Sequence, residues 1–469
     1  MRTSKYIINV RISNDKYLLI HGYSGAVDIV SNNVVNILRK GNYELMNEID
    51  FNSLRKRGYI TNRNIEEERK IVKTIVKILQ EKSRVDSTFT IIISYDCNFR
   101  CSYCIEGKIS EYGNQWTRES LTEEKINALY KSIDNIGYKK NKKKIIALYG
   151  GEPFLKENFQ IMDYLIKKGE ERDFSFTIIT NGYELKYFEE IIKRNSVLSF
   201  QITLDGIEKI HNERRPHYKN NDSFEVLITN ISWLLNIGKK VNIRINLDKT
   251  NSSNLIELIN LFDERGWTSH SNFSTHISPI HIGALEAADF KLNQVIEYNY
   301  LSFSLLEKND IINFINNSIK QDERFSIFNL PTYSVQNNIK NTLNSKKSLI
   351  YKGSFCSATA NGFIFDPRGD IYTCWEIIGD ESFKIGKYYP NFTLDKEKLQ
   401  LWQNRDVSNI HNCLSCKYAL FCGGGCAAQS FKKNKDMYHS YCDNFKTLFN
   451  IGVKDAYLEL KTQQSNVKN

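Results

Sequence analysis

Short apolar runs alternate with amphipathic stretches along most of this 469-residue chain. Six runs rich in β-branched and aromatic residues read as strands: Phe89 to Ser94, Ile145 to Tyr149, Phe176 to Ile179, Leu198 to Leu204, Val241 to Leu247 and Phe273 to Ser278. Between them, Glu123 to Ile136, Met162 to Glu170, Leu185 to Arg194, Phe224 to Leu235 and Leu255 to Arg265 read as helices. Parallel neighbours need a crossover between them, so the alternation predicts a parallel sheet, either open or curled into a partial barrel. Chemistry in such folds gathers at the C-terminal strand ends.

The pattern differs at both ends. Ile7 to Ile12, Tyr17 to Ile20 and Ala26 to Val30 predict three short strands, with a Gly22/Gly25 turn separating the last two. Ser31 and Asn32 are N-cap candidates for a helix through Leu38, and Phe51 to Arg57 predicts another. Ile65 to Arg84 places Ile71, Ile75, Val76 and Leu79 at helical spacing and reads as an amphipathic connector. The first 85 residues thus predict a winged-helix-like unit. A helical stretch from Ala284 to about Asn309 and a polar, Asn/Lys-rich bridge lead to a cysteine-rich final segment. The expected domains are 1–85, 86–310, a bridge over 311–349, and 350–469.

Composition narrows the classes. Hydrophobic residues make up 41% and charged residues 25%, with 6 prolines, which suits folded domains and argues against extensive disorder. No apolar run approaches the ~18–20 residues that span a bilayer, and residues 1–23 lack a signal-peptide core, so the expectation is a cytoplasmic protein without a membrane partner. The net charge of +10 is concentrated at the N-terminus, where residues 1–85 hold 16 Lys/Arg against 9 Asp/Glu. A balance this mild does not call for a nucleic-acid partner. The 10 cysteines change the picture most: three lie between residues 97 and 104 and seven beyond residue 355. In a reducing cytosol such clusters point to metal ligation before disulfides.

Cys97-Asn98-Phe99-Arg100-Cys101-Ser102-Tyr103-Cys104 is a C-x3-C-x2-C run directly after the first strand of the alternating array. Three thiolates on one loop suffice for three irons of a [4Fe–4S] cube, leaving the fourth iron open, whereas a closed zinc site wants four ligands. The run and its position resemble the radical S-adenosylmethionine (SAM) enzymes. That resemblance implies a partial (β/α)6 TIM-like barrel whose Cys97, Cys101 and Cys104 hold the catalytic cluster beside SAM, with Tyr103 next to it. The later strand ends fit the same pattern. Gly150-Gly151-Glu152-Pro153 resembles the family's GGEP element, which meets the SAM amino group, its glycines allowing close backbone approach. Thr180 and Asn181 of a Thr-Asn-Gly turn would address the ribose. Thr203 and Arg215 would hold the SAM carboxylate, and Asp205 would orient SAM or a nearby proton; Arg244 and Asn246 on the fifth strand also fit the family.

The spacing Cys356-x12-Gly369-x4-Cys374, then Cys413-x2-Cys416-x5-Cys422-x3-Cys426 and Cys442, resembles the SPASM extension of these enzymes, which houses two auxiliary iron–sulfur clusters. The bland alternative is a pair of zinc knuckles in a zinc-binding interaction protein. The family pattern implies that Cys413, Cys416, Cys422 and Cys442 enclose a distal cluster and that Cys356, Cys374 and Cys426 hold a proximal one with an open iron. Ser357 to Arg368 supplies no further cysteine, so Asp366, another non-cysteine group or a substrate thiol would complete it. The resemblance therefore implies three [4Fe–4S] clusters, SAM, a cysteine-containing precursor peptide whose leader binds the N-terminal unit, and an electron donor such as flavodoxin or ferredoxin. The implied activity is sulfur-to-carbon thioether formation in a ribosomally made peptide. Formylglycine formation in sulfatases, peptide epimerisation and carbon–carbon crosslinking are the enzymatic alternatives.

Overall fold

The computed structural model describes residues 1–104, 106, 118–138, 144–280, 306–345 and 347–466. They fold into two compact units. One comprises residues 1–84, 331–360 and 401–469, the other residues 85–330 and 361–400.

The second unit carries the six predicted strands. They are β6 (Thr88–Ile92), β7 (Lys144–Tyr149), β8 (Phe174–Thr180), β9 (Val197–Thr203), β10 (Lys240–Leu247) and β11 (Phe273–Pro279), numbered after five short strands of the first unit. Each pairs in parallel with the next, in chain order. A doubly wound sheet reverses at an internal strand, so this unbroken order is the barrel-type winding. Beyond β11 the sheet gains β12 (Phe328–Asn329). On the other side β6 takes up β13 (Gly362–Phe365) in parallel, followed by the antiparallel β14 (Asp370–Tyr372), β15 (Gly386–Lys387) and β16 (Thr393–Leu394). Residues 361–400, expected with the cysteine-rich segment, thus extend the barrel sheet.

The crossover helices follow their apolar stripes. The helix Glu123–Ile136 starts at Thr122, whose hydroxyl accepts from Lys125 N, and buries Ile126, Leu129, Tyr130 and Ile133. Phe159–Glu170, Phe224–Asn236 and Leu255–Glu264 likewise bury residues at helical spacing. The stretch expected as one helix from Leu185 to Arg194 is instead a 3-10 turn, Leu185–Phe188, and one α-turn, Glu189–Ile192. Most of the helix expected from Ala284 lies outside the described residues. The polar bridge holds two helices, Lys308–Gln321 and Tyr333–Ser345. Ile311, Ile312 and Ile315 give the first a buried stripe that its asparagines conceal in the sequence.

In the first unit, β1 (Arg2–Thr3) pairs with β5 (Ile60–Thr61), while β2 (Ile7–Arg11), β3 (Lys16–His21) and β4 (Val27–Ser31) form an antiparallel sheet with both faces covered. Leu19 points to one side, where it packs with Val35, Leu38, Leu54 and Tyr59 of the small N-terminal helices and their flank. Ile8, Val10, Leu18 and Ile20 point to the other, against Ile339, Tyr418, Phe421, Phe449 and Val453. The period-two alternation of a strand separates these two cores. Ser31 caps the helix Asn32–Lys40 through Val34 N, and Gly41 ends it at φ 75°. The connector Ile65–Arg84 forms as expected and packs Val72 and Val76 against Val407, Ile410 and Cys413. No described helix is long and apolar enough to cross a membrane.

Barrel packing yields a first prediction. A Cβ on Gly169 would lie 2.4 Å from the Phe176 ring and 2.5 Å from Tyr130 Oη, both fully buried. Gly169→Ala is expected to lose about 1–3 kcal/mol through overpacking, despite alanine's better helix propensity. A denaturant midpoint equal to or above that of the wild type would contradict this packing.

Candidate active site

Past the C-terminal end of β6, residues 93–104 form the loop that carries Cys97, Cys101 and Cys104. It is held on two sides. From the end of β7, Gly151 N donates to Ser94 O at 3.0 Å and Glu152 N to Asp96 O at 2.8 Å. From the segment after β9, Pro216 O and Arg214 O accept from Arg100 N and Ser102 N at 2.9 and 3.2 Å, while Tyr218 N donates to Asn98 O at 2.9 Å. A Cβ on Gly151 would sit 2.1 Å from Asp96 O. The glycine expected to admit a ligand therefore admits the backbone of the cysteine loop.

Two buried polar groups of residues flank this loop. The first centres on Glu152, which is 1% exposed. Its carboxylate accepts from Thr180 Oγ1 at 2.6 Å, Asn181 N at 2.6 Å and Phe154 N at 2.9 Å. The donors favour the ionised form, but burial outweighs them and raises the pKa from 4.5 to about 7. Glu152 thereby ties the ends of β7 and β8 together. Asn181 extends the link, donating from Nδ2 to Asn98 Oδ1 at 2.6 Å and lying 3.9 Å from Cys97 Sγ. Pro153 is buried beside Glu152.

The second group centres on Tyr103. Its hydroxyl donates to Asp205 and accepts from Arg215 Nη1 at 2.9 Å and Asn246 Nδ2 at 3.1 Å. Asp205, fully buried, also accepts from Asn246 N at 2.9 Å and Arg214 Nε at 3.4 Å. Arg214 continues to Asp248 at 2.9 Å, and Asn251 donates to Asp205 O at 2.7 Å. Arg244 donates to Asn246 Oδ1 at 2.9 Å, and Thr203 ends β9, half-buried, opposite Arg244.

Sequence reasoning missed Arg214, Asn251 and Asn98. The Arg214-Arg215 pair and the asparagine inside the cysteine run were visible, but nothing local marked them as buried. Among the described residues the histidines form no ligand set: His211 accepts from Asp205 N at 3.4 Å, and His217 stacks on Tyr183 at 4.5 Å. His281 lies outside the described residues.

The Cys97 thiol is pushed well above the usual range by burial, with Cys101 and Glu152 next in effect. Phe99 N donates to Cys97 Sγ at 3.4 Å, and Cys101 helps hold the Arg215 guanidinium charged against its burial. Arg215 Nε, Asn98 Nδ2 and Ser102 Oγ are buried without a partner among the described residues. Buried donors of this kind are what a bound ligand satisfies.

Six C-terminal cysteines, Cys356, Cys413, Cys416, Cys422, Cys426 and Cys442, belong to the first unit; Cys374 follows β14 in the second. Burial raises Cys413 to about 12 and Cys422 to about 11, and each also feels Cys416 and Cys442. Gly425 (φ 79°) lets the Cys426 loop meet the Cys442 loop, since a Cβ there would lie 1.8 Å from Tyr441 O. Among the described residues no three His, Cys, Asp or Glu side chains converge on a single metal ion; thiols around an iron–sulfur cube sit at the corners of a larger cage. The carboxylate of Asp366 accepts from Tyr95 Oη at 2.8 Å, Asp370 N at 2.8 Å and Arg368 N at 3.0 Å, fully buried. It closes the β13–β14 turn.

Residues 91–262, spanning the cysteine loop and both polar groups, match the radical SAM superfamily. The chain carries a radical SAM domain. Over nearly its whole length it is similar to the radical SAM cyclopropyl synthase TigE of Paramaledivibacter caminithermalis, at 24% identity over 95% of this chain and 94% of that protein. It is 25% identical to a cysteine-type anaerobic sulfatase-maturating enzyme of Clostridium novyi over 79% of this chain and 96% of the relative. Among solved structures, native anSMEcpe with bound AdoMet aligns with TM-score 0.55 and 17% identity over 81% of this chain and 99% of that one. Streptococcus suis SuiB bound to precursor peptide SuiA aligns with TM-score 0.51 and 17% identity over 94% and 98%. The radical SAM superfamily implies a [4Fe–4S] cluster and SAM, and the three thiols with their neighbouring orphan donors fit both.

The candidate site can be tested at Gly151 and Glu152, just past the end of β7. Gly151→Ala displaces the cysteine loop and is expected to lower iron bound at Cys97, Cys101 and Cys104, read as iron per chain after anaerobic reconstitution; wild-type iron would show that the loop tolerates the Cβ. Glu152 retains a proton in the folded chain between pH 4.5 and about 7 that the unfolded chain has released. Its contribution to stability is full below that window and lost as pH rises through it. Melting points of Glu152→Gln and wild type at pH 5 and 8 are expected to shift in favour of the variant at pH 8. A difference that stays constant would refute the assignment.

Proposed function

We propose that the chain is a radical SAM maturase that installs cysteine sulfur-to-carbon thioether links in a ribosomally made peptide. When bound, the reduced cluster and SAM supply a 5′-deoxyadenosyl radical that removes hydrogen from a substrate carbon. Cys97, Cys101 and Cys104 hold the cluster, and the two buried polar groups fix their loop from opposite sides. Arg215 and Thr203 offer a cation and a hydroxyl for the SAM carboxylate, beside Asp205 and Asn246. Tyr103 ties Asp205, Arg215 and Asn246 to the cysteine loop.

The observation that carries the thioether reading is the shortage of ligands in the C-terminal segment. Seven cysteines serve two auxiliary clusters, and the Asp366 carboxylate is already committed to three donors. A substrate thiol is then the group that completes the proximal cluster. The N-terminal sheet supports a peptide substrate. β4 is one of its edges, Ile29 on that strand is 48% exposed, and an extended leader can add there by backbone hydrogen bonds. The relatives point the same way, because SuiB is seen with a precursor peptide.

Similarity to the Clostridium novyi enzyme favours formylglycine formation as a second reading. Mass analysis of a cysteine-containing precursor peptide after anaerobic incubation with SAM and reductant separates the two. A thioether loses two hydrogens and the thiol no longer alkylates, whereas formylglycine loses the sulfur. Retained alkylation with the same two-hydrogen loss marks a carbon–carbon link, and an unchanged mass with inverted chirality marks epimerisation. The proposal requires about twelve irons per chain, from three cubes of four. It also requires that Cys101→Ala abolish SAM cleavage; zinc without iron, or cleavage at the wild-type rate, would overturn it.

A further inference from the structure

Arg405 follows the helix Lys396–Gln403 and is fully buried within the first unit. Its donors all go to backbone carbonyls. Nε donates to Met437 O, Nη1 to Gly425 O at 2.7 Å, and Nη2 to His439 O at 3.1 Å and Gly424 O at 3.4 Å. These acceptors lie on two loops: Gly424 and Gly425 separate Cys422 from Cys426, and Met437 and His439 approach Cys442.

No carboxylate forms an ion pair with Arg405 among the described residues. The adjacent Asp406 turns its Oδ1 to Ser408 N and Oγ at 2.7 and 2.6 Å. Asp436 lies within reach of the guanidinium's field, but its half-exposed side chain is bound to Tyr438 N and His439 Nδ1, each at 2.9 Å. Carbonyl dipoles solvate a cation without neutralising it, and a buried charge that lacks a counter-charge is costly. Burial works against the charge of Arg405, and the groups that favour it are cysteines: Cys426, Cys413, Cys356 and Cys422. Cys413 shares a packed cluster with Val407 and Ile410 just beyond it.

We propose that Arg405 is the shared counter-cation of the two auxiliary iron–sulfur clusters, a positioning residue that holds the cysteine loops by its carbonyl bonds and offsets the clusters' negative charge. Cys356 and Cys426 belong to the proximal cluster and Cys413 and Cys422 to the distal one, so the inference rests on the two-cluster reading above. A thiolate-ligated cube becomes more negative on reduction, and a fixed buried cation therefore favours its reduced state.

The test uses the full chain, reconstituted anaerobically, with Cys97, Cys101 and Cys104 changed to Ala so that only the auxiliary clusters contribute. Iron content and potentiometric titrations followed by electron paramagnetic resonance are compared for this background, for Arg405→Gln and for Arg405→Lys. Arg405→Gln is expected to shift both auxiliary potentials negative by at least about 59 mV, a tenfold change in a one-electron reduction constant. Arg405→Lys, which keeps the charge, is expected to retain most of the potential. Unchanged potentials in Arg405→Gln at full iron content would overturn the proposal, as would equal shifts in both variants or a shift of one cluster alone. Should Arg405→Gln fail to load iron, Arg405→Lys decides: loading at near background potentials supports a charge role, and equal failure reduces Arg405 to a mechanical tie. A background that binds no auxiliary iron defeats the two-cluster reading and this inference with it, whereas normal loading with unmoved potentials defeats this inference alone.

Discussion

The candidate active site depends on one close approach, that of the Gly151 backbone to the Ser94–Asp96 backbone. With no room for a Cβ, two successive amides of the β7 end meet two carbonyls of the cysteine loop. The loop thereby acquires a fixed position relative to β7, and the next residue, Glu152, passes that position on to β8 through Thr180 and Asn181. Asn181 then returns to the loop at Asn98. A cysteine loop with no regular secondary structure is made rigid by a closed circuit of hydrogen bonds over three strand ends, the pre-organisation that a cluster shared with a diffusible cofactor requires.

On the opposite side Tyr103 performs the matching task. Its position inside the cysteine run means that any movement of the loop moves a hydroxyl held by Asp205, Arg215 and Asn246. The two circuits draw on the ends of β7 and β8 on one side and of β9 and β10 on the other. This explains why polar residues recur at successive strand ends rather than within one motif.

Much of this was legible in the sequence because parallel strands and crossover helices leave opposite periodicities. All six barrel strands and most of the intervening helices appear near their expected bounds. The cysteine run and its companions at the strand ends were visible as motifs, since their spacing is set by local turn geometry. What the sequence concealed were long-range pairings. Nothing local announces that Gly362–Phe365 will add to β6, over 270 residues away, or that the N-terminal sheet will pack Ile8, Val10, Leu18 and Ile20 against Tyr418, Phe421 and Phe449. The partners of Asp366 were hidden likewise: nothing local shows that its carboxylate meets the Tyr95 hydroxyl, 271 residues away, as well as two turn amides.

Buried arginines show how the two units handle the same electrostatic problem differently. Arg214 lies among carboxylates, Asp205 at 3.4 Å and Asp248 at 2.9 Å, so its charge is paired within the protein. Among the described residues Arg405 is given carbonyls but no carboxylate. Of these two arrangements only the second leaves a net positive field, and it does so among cysteines. A chain that merely needed to brace two loops could do so with a neutral donor at lower desolvation cost. Retaining a guanidinium at full burial makes physical sense where negative charge comes to reside beside it.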